Sequence, residues 1–248
     1  QILTKFRQRR VKIPTGKSAK NSVRIINVKT TIHGAPSFSV VHVDLEAGET
    51  VTAEAGAMQS MSAELDMKAV TNGGFLSAVG KKFFGGESFF VNRFINNTGK
   101  TLRVSFSQDV PGEVVQREMK EGEELCLQRG AYLGHAGDVT FKAAWAGFVS
   151  WLGGEGLVKL KAKGPGTLWY GAYGGMVPRK VEGELKVDDR HLVAWDPSLK
   201  LKLALSGGLF ASLFGGEGFV TRLVGDGTVY VQTRSVKGLA AWLNPKFK

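Results

Sequence analysis

Three segments of this chain set clumps of large apolar side chains among glycines: GGFLSAVGKKFFGGESFF from Gly73, AGFVSWLGGEGLV from Ala146 and GGLFASLFGGEGF from Gly207. Neither helix nor strand favours that mixture, since glycine loses the most backbone freedom on folding and contributes no side chain to a packed face. Its recurrence points to a repeated piece of structure. The surrounding sequence repeats as well. A Gly-Glu pair, read as a turn, opens each unit at Gly48-Glu49, Gly122-Glu123 and Gly183-Glu184. Each unit then runs through an alternating segment and the glycine-rich stretch to a Gly-Gly-Glu that ends at Glu87, Glu155 or Glu217. The interval between the two glutamates is 38, 32 and 33 residues, and the longer first interval carries extra residues around Gly80-Lys81-Lys82. Insertions collect at surface ends of a fold, so these stretches are expected there.

After each Gly-Gly-Glu comes an apolar run, FFVNRFI, LVKLKA or FVTRLV, then a turn signal and another strand pattern, with Thr101, Thr167 and Thr228 at matching positions. The turn signals, NNTGK, KGPG and GDG, are flanked by β-branched and aromatic residues and read as hairpins. Val41, Val43 and Leu45 alternate with His42 and Asp44, the period of a half-buried strand. One segment reads as a helix, Val236 to Leu243, closed by Asn244-Pro245. The expectation is a mostly β protein of packed antiparallel sheets, a β-sandwich or prism. It is built from three pseudo-repeats related by pseudo-threefold symmetry, with a short C-terminal helix at about 236–243. A period of about 60 to 70 residues is too long for a blade of the usual propeller families.

Composition supplies bounds. Apolar residues make up 43% of the 248, enough for a packed core. Lys5, Arg7, Arg9, Arg10, Lys12, Lys17, Lys20, Arg24 and Lys29 supply nine of the eleven excess positive charges, and the first carboxylate is Asp44. The chain therefore divides into a basic arm, residues 1–29, and a nearly neutral domain, residues 30–248, so the body is not expected to bind nucleic acid. Cys126 is the single cysteine, which excludes a disulfide or a multi-cysteine metal site within one chain. Neither a transmembrane run nor a signal-peptide pattern is read, and the cytoplasm is the expected compartment.

PSFSVVHVDLEAGETVTAEAGAMQSM, LCLQRGAYLGHAGDVTF, the three Gly-Gly-Glu sites, HLVAWD and VYVQTRS, taken in order, resemble the mitochondrial-biogenesis family named for altered inheritance of mitochondria, in its bacterial form. The resemblance spans about residues 31 to 243. It implies a fold like the β-sandwich of the tryptophan RNA-binding attenuation protein, without implying RNA binding. It brings no catalytic residues.

The chemistry-bearing residues are sparse. Glu87, Glu155 and Glu217 could converge on a hard cation if the repeats surround an axis; each could equally accept backbone N–H bonds from its own turn. Asn97-Thr98-Gly99-Lys100-Thr101 ends like a phosphate-binding loop, but Phe94 stands where the first glycine is required and the context is strand-turn-strand. His33, His42, His135 and His191 show no metal-ligand spacing, no Gly-x-Ser-x-Gly is present, and Cys126 sits in an apolar Glu-Leu-Cys-Leu context. No catalytic residue and no cofactor are expected.

Phe75, Leu76, Phe148, Trp151, Leu209, Phe210, Leu213 and Phe214, in the glycine-rich stretches, are costly to leave wet, each worth roughly 1.5 to 3 kcal/mol on full burial. They are candidates to plug the sandwich ends, to seal a subunit interface or to touch a membrane. The expected function is a non-enzymatic, homo-oligomeric interaction or scaffold module. Alternatives are nucleic-acid or anionic-membrane binding through the arm, and a small ligand or enzymatic site between repeats.

Overall fold

The computed structural model describes residues 28–71, 90–145, 158–205 and 219–247. The eight apolar interface candidates and Glu87, Glu155 and Glu217 lie outside these residues. Of the basic arm, Val28 and Lys29 are described; Val28 is buried in the core, and Lys29 opens the first strand and lies 4.0 Å from Asp44.

The described residues hold seventeen strands in order: β1 (Lys29–His33), β2 (Val40–Leu45), β3 (Thr50–Glu54), β4 (Met58–Met61), β5 (Asp66–Thr71), β6 (Phe90–Ile95), β7 (Leu102–Ser107), β8 (Val114–Met119), β9 (Glu124–Gln128), β10 (Tyr132–Ala136), β11 (Thr140–Trp145), β12 (Val158–Lys163), β13 (Gly166–Gly171), β14 (Met176–Asp188), β15 (Leu192–Trp195), β16 (Lys200–Leu205) and β17 (Phe219–Gln232). Among the described residues one α-helix, α1 (Val236–Leu243), occupies the residues its sequence predicts, capped by Ser235, whose Oγ accepts from the Gly238 N–H. The strands form a four-stranded sheet, β1-β2-β7-β4, a six-stranded sheet, β5-β6-β3-β10-β13-β8, and a seven-stranded sheet, β11-β12-β9-β15-β17-β14 with β16 on β17. The strand pairings are antiparallel, as expected.

Alternation decides which side chains are inside. On β2, Val41, Val43 and Leu45 are buried and the residues between them only partly so. The six-stranded sheet is buried on both faces. Trp169, Leu133 and Phe94 join the core against the four-stranded sheet, whereas Leu168, Tyr170, Tyr132 and Val91 join the core against the seven-stranded sheet. A third core, Cys126, Leu192, Trp195, Leu223 and Val229, lies where the seven-stranded sheet curls over its own face. The sheets thus stack as successive sandwiches. The Cys126 side chain is buried there as a thiol, outside any disulfide.

One pairing scheme occurs in three successive stretches. In the first, β2 pairs β7, β4 pairs β7, β3 pairs β6 and β5 pairs β6. In the second, β8 pairs β13, β10 pairs β13, β9 pairs β12 and β11 pairs β12. In the third, the two halves of β14 pair the two halves of β17, while β15 and β16 pair opposite ends of β17. The same register shift recurs between Met58 and Ser60, Tyr132 and Gly134, and Leu192 and Ala194.

Several turn expectations are corrected. NNTGK and KGPG are corners rather than hairpins: β6 and β7, like β12 and β13, belong to different sheets. Gly183-Glu184 and Gly225-Asp226-Gly227 are not turns, because they face each other inside the continuous strands β14 and β17. Gly183 and Gly225 hold φ of 84° and 127°, values that L side chains avoid, so glycine there bends a paired strand instead of ending it.

Candidate functional site

A cavity of about 450 Å³ opens where the three stretches bring matching segments together. From the first come Glu54–Ala57 and Ser107–Val110, from the second Gln128 and Tyr132 with Gly171–Tyr173, and from the third Asp189, Arg190 and Gln232 with the start of α1. Glu54, Gln128 and Asp188 are structurally matched, since they pair with Val91, Lys159 and Val220 at the same place in each scheme. No sequence motif marks this set; the three residues lie five, five and four positions beyond Glu49, Glu123 and Glu184, an offset that differs in the third stretch.

The rim is held by local polar bonds. Gln232 accepts from the Tyr173 N–H at 2.9 Å and donates to the Arg190 carbonyl at 2.8 Å. Arg190 Nε donates to both carboxylate oxygens of Asp188, at 3.0 and 2.9 Å. Burial pushes the Asp188 carboxyl up, but bonds from Arg190 outweigh it and hold the group below the usual carboxylate range. Below the rim, the Tyr132 hydroxyl and His135 Nδ1 lie 2.7 Å apart, both buried, with Phe141 packed edge-on against Tyr132. Burial drops the His135 pKa to about 3, so its imidazole is neutral at physiological pH. Burial also lifts the Tyr132 phenol well above its ordinary value. The cavity wall itself presents amide, carboxylate and guanidinium groups from Gln128, Asp109 and Arg190.

Of the other residues singled out from sequence, His33 and His42 are brought into edge-on ring contact, with centroids 5.0 Å apart, and the remaining histidines lie apart. His42 Nδ1 lies 2.7 Å from Ser105 Oγ, and His191 Nδ1 lies 2.7 Å from the Gln232 carbonyl. Among the described residues no group of three or more His, Cys, Asp or Glu side chains could hold a metal ion. In the GKT corner, Asn96 Oδ1 accepts from the Thr98 N–H and Thr98 Oγ1 from the Lys100 N–H, so these donors are already used and make no phosphate cradle. Thr101 and Thr167 bond the carboxylates of Glu46 and Glu118 opposite them on neighbouring strands, a pairing that staples each corner.

The chain matches the family model described as mitochondrial biogenesis AIM24 over residues 30–234. It belongs to the AIM24 family. An uncharacterized protein of Streptococcus pyogenes serotype M6 is 27% identical over 225 residues, 87% of this chain and 90% of that protein. The X-ray crystal structure of another Streptococcus pyogenes protein aligns with a TM-score of 0.72 at 26% identity, covering 88% of this chain and 99% of that one. Membership in the AIM24 family thus spans the whole described β body. Among the described residues no helix is long and apolar enough to cross a membrane.

Proposed function

We propose that this AIM24 protein is a non-enzymatic interaction module, built of three pseudo-repeats, that assembles with copies of itself. One observation carries the reading. Each glycine-rich apolar stretch is strung between the ends of a paired hairpin, at Thr71 and Phe90, Trp145 and Val158, and Leu205 and Phe219. Those ends lie beside Glu54, Gln128 and Asp188; Glu54 and Gln128 line the cavity, and Asp188 adjoins Asp189, which lines it too. All three apolar stretches are therefore tethered at matched places around one end of the body. Covering such side chains removes apolar area from water, and symmetric assembly lets one patch serve several copies.

The test is molar mass in solution. Phe148→Ser with Trp151→Ser, or Leu209→Ser with Phe210→Ser, is expected to yield a smaller species that remains folded. A wild-type chain that stays monomeric at high concentration overturns the proposal. A second reading rests on the arm, whose nine cations with no acid favour weak electrostatic contact with nucleic acid or an anionic membrane.

A further inference from the structure

The sheets are assembled from halves. Strands β5, β6 and β3 form the left half of the six-stranded sheet and β10, β13 and β8 the right half, joined where β3 meets β10. Strands β11, β12 and β9 are likewise a left half, completed where β9 meets β15 by β15 with the matching ends of β17 and β14. Among the described residues two halves remain without complements. The four-stranded sheet is a right half, β4, β7 and β2, extended by β1. The other ends of β14 and β17, with β16, are a left half whose outer strand is Glu184–Asp188.

The two completed joints share one register. Gly134 faces Ala53 and His135 faces Thr52 at the first, while Ala194 faces Leu127 and Trp195 faces Cys126 at the second. Transferred through the matched pairings, the same register sets Ser60 opposite Val187 and Met61 opposite Lys186. Burial marks the difference. Strands β10 and β15 are buried throughout and β3 and β9 are buried at their centres. On β4, Gln59 and Ser60 are exposed, and Glu184–Asp188 contains no buried residue. Ser60 nevertheless keeps the small size of Gly134 and Ala194, the residues that let two strands close at this point; a Cβ on Gly134 would stand 2.9 Å from the Thr52 carbonyl oxygen.

We infer that the β4 edge of one copy pairs antiparallel with the Glu184–Asp188 edge of a second copy, Ser60 against Val187, completing between chains the sheet that β3–β10 and β9–β15 complete within one. The occupant is a second copy because this chain carries both halves of the joint, and unpaired strand edges are templates for pairing. A joint between two different surfaces is head-to-tail, so it propagates until a ring closes. The inference rests on the self-association proposed above but not on the apolar stretches.

Directly opposed residues on antiparallel strands have Cα atoms about 4.5 to 5.5 Å apart, within disulfide reach. Full-length Ser60→Cys and Val187→Cys chains, mixed and mildly oxidised, are expected to give a covalent heterodimer that neither gives alone. Lys180→Cys, on the other half of β14, is expected not to cross-link to Ser60→Cys. A wild-type chain that forms multimers while the Ser60 and Val187 thiols fail to join overturns this joint and leaves self-association standing. A monomeric wild type overturns both. Melting curves of the reduced variants confirm that the chains tested are folded.

Discussion

His135 is one of four histidines in the sequence, and only its place decides its behaviour. Buried beside Tyr132, its imidazole has a pKa near 3, whereas the unfolded chain offers one near 6.5. The folded-state value is the lower one, so the unfolded state takes up the proton first. The stability from keeping His135 neutral is fully present above pH 6.5 and is lost as pH falls toward 3. Unfolding free energy is therefore expected to fall by about 1.4 kcal/mol per pH unit for this one proton below pH 6.5. The clean window is pH 6 to 4.5, above the titration of depressed carboxylates such as Asp44 and Glu123. Denaturant titrations across that window on wild type and His135→Gln measure it; equal slopes would show that the proton is taken up elsewhere.

At the scale of elements, a turn signal and a sheet partner are separate matters. The Asn97 to Thr101 segment carries hairpin chemistry and still delivers its two strands to different sheets, because β6 finds β3 and β7 finds β2. The joint between β3 and β10 depends on Gly134. Gly134→Ala is expected to destabilise the fold by about 1 to 3 kcal/mol, since the added methyl meets backbone rather than a movable side chain. Ala194→Gly at the matched site creates no clash and is expected to cost about 1 kcal/mol or less. Chemical denaturation of both variants checks the difference, and equal costs would mean that the close approach at Gly134 carries no energy. The helix α1 was legible because its signals are local: the run Val236 to Leu243, closed by Asn244-Pro245.

At the scale of the molecule, the charge distribution and the strand edges give different expectations. The arm holds nine cations, so binding to nucleic acid or anionic vesicles is expected to weaken steeply with salt and to vanish when residues 1–29 are removed. Salt-insensitive RNA binding by the arm-deleted body, read by titration at two ionic strengths, would contradict that. In the self-association proposed above, the body's contacts run through apolar stretches and sheet edges. Its melting temperature is accordingly expected to rise with protein concentration, because association stabilises the folded state by mass action.

What the sequence determined by itself was local. Apolar alternation at Val41, Val43 and Leu45, glycine and proline at the ends of runs, and the caps of α1 specify strand, turn and helix through interactions among neighbours in the chain. The concentration of cations in the arm is equally a property of order alone. Which strands pair is a matter of contacts between distant residues: Gly183 and Gly225 sit in one continuous ladder rather than in two turns because their strands face each other across the sheet. The cavity has the same origin. Glu54, Gln128 and Asp189 are separated by more than 50 residues at each step and line one cavity only because three stretches adopt one pairing scheme, so their grouping was decided by the tertiary structure.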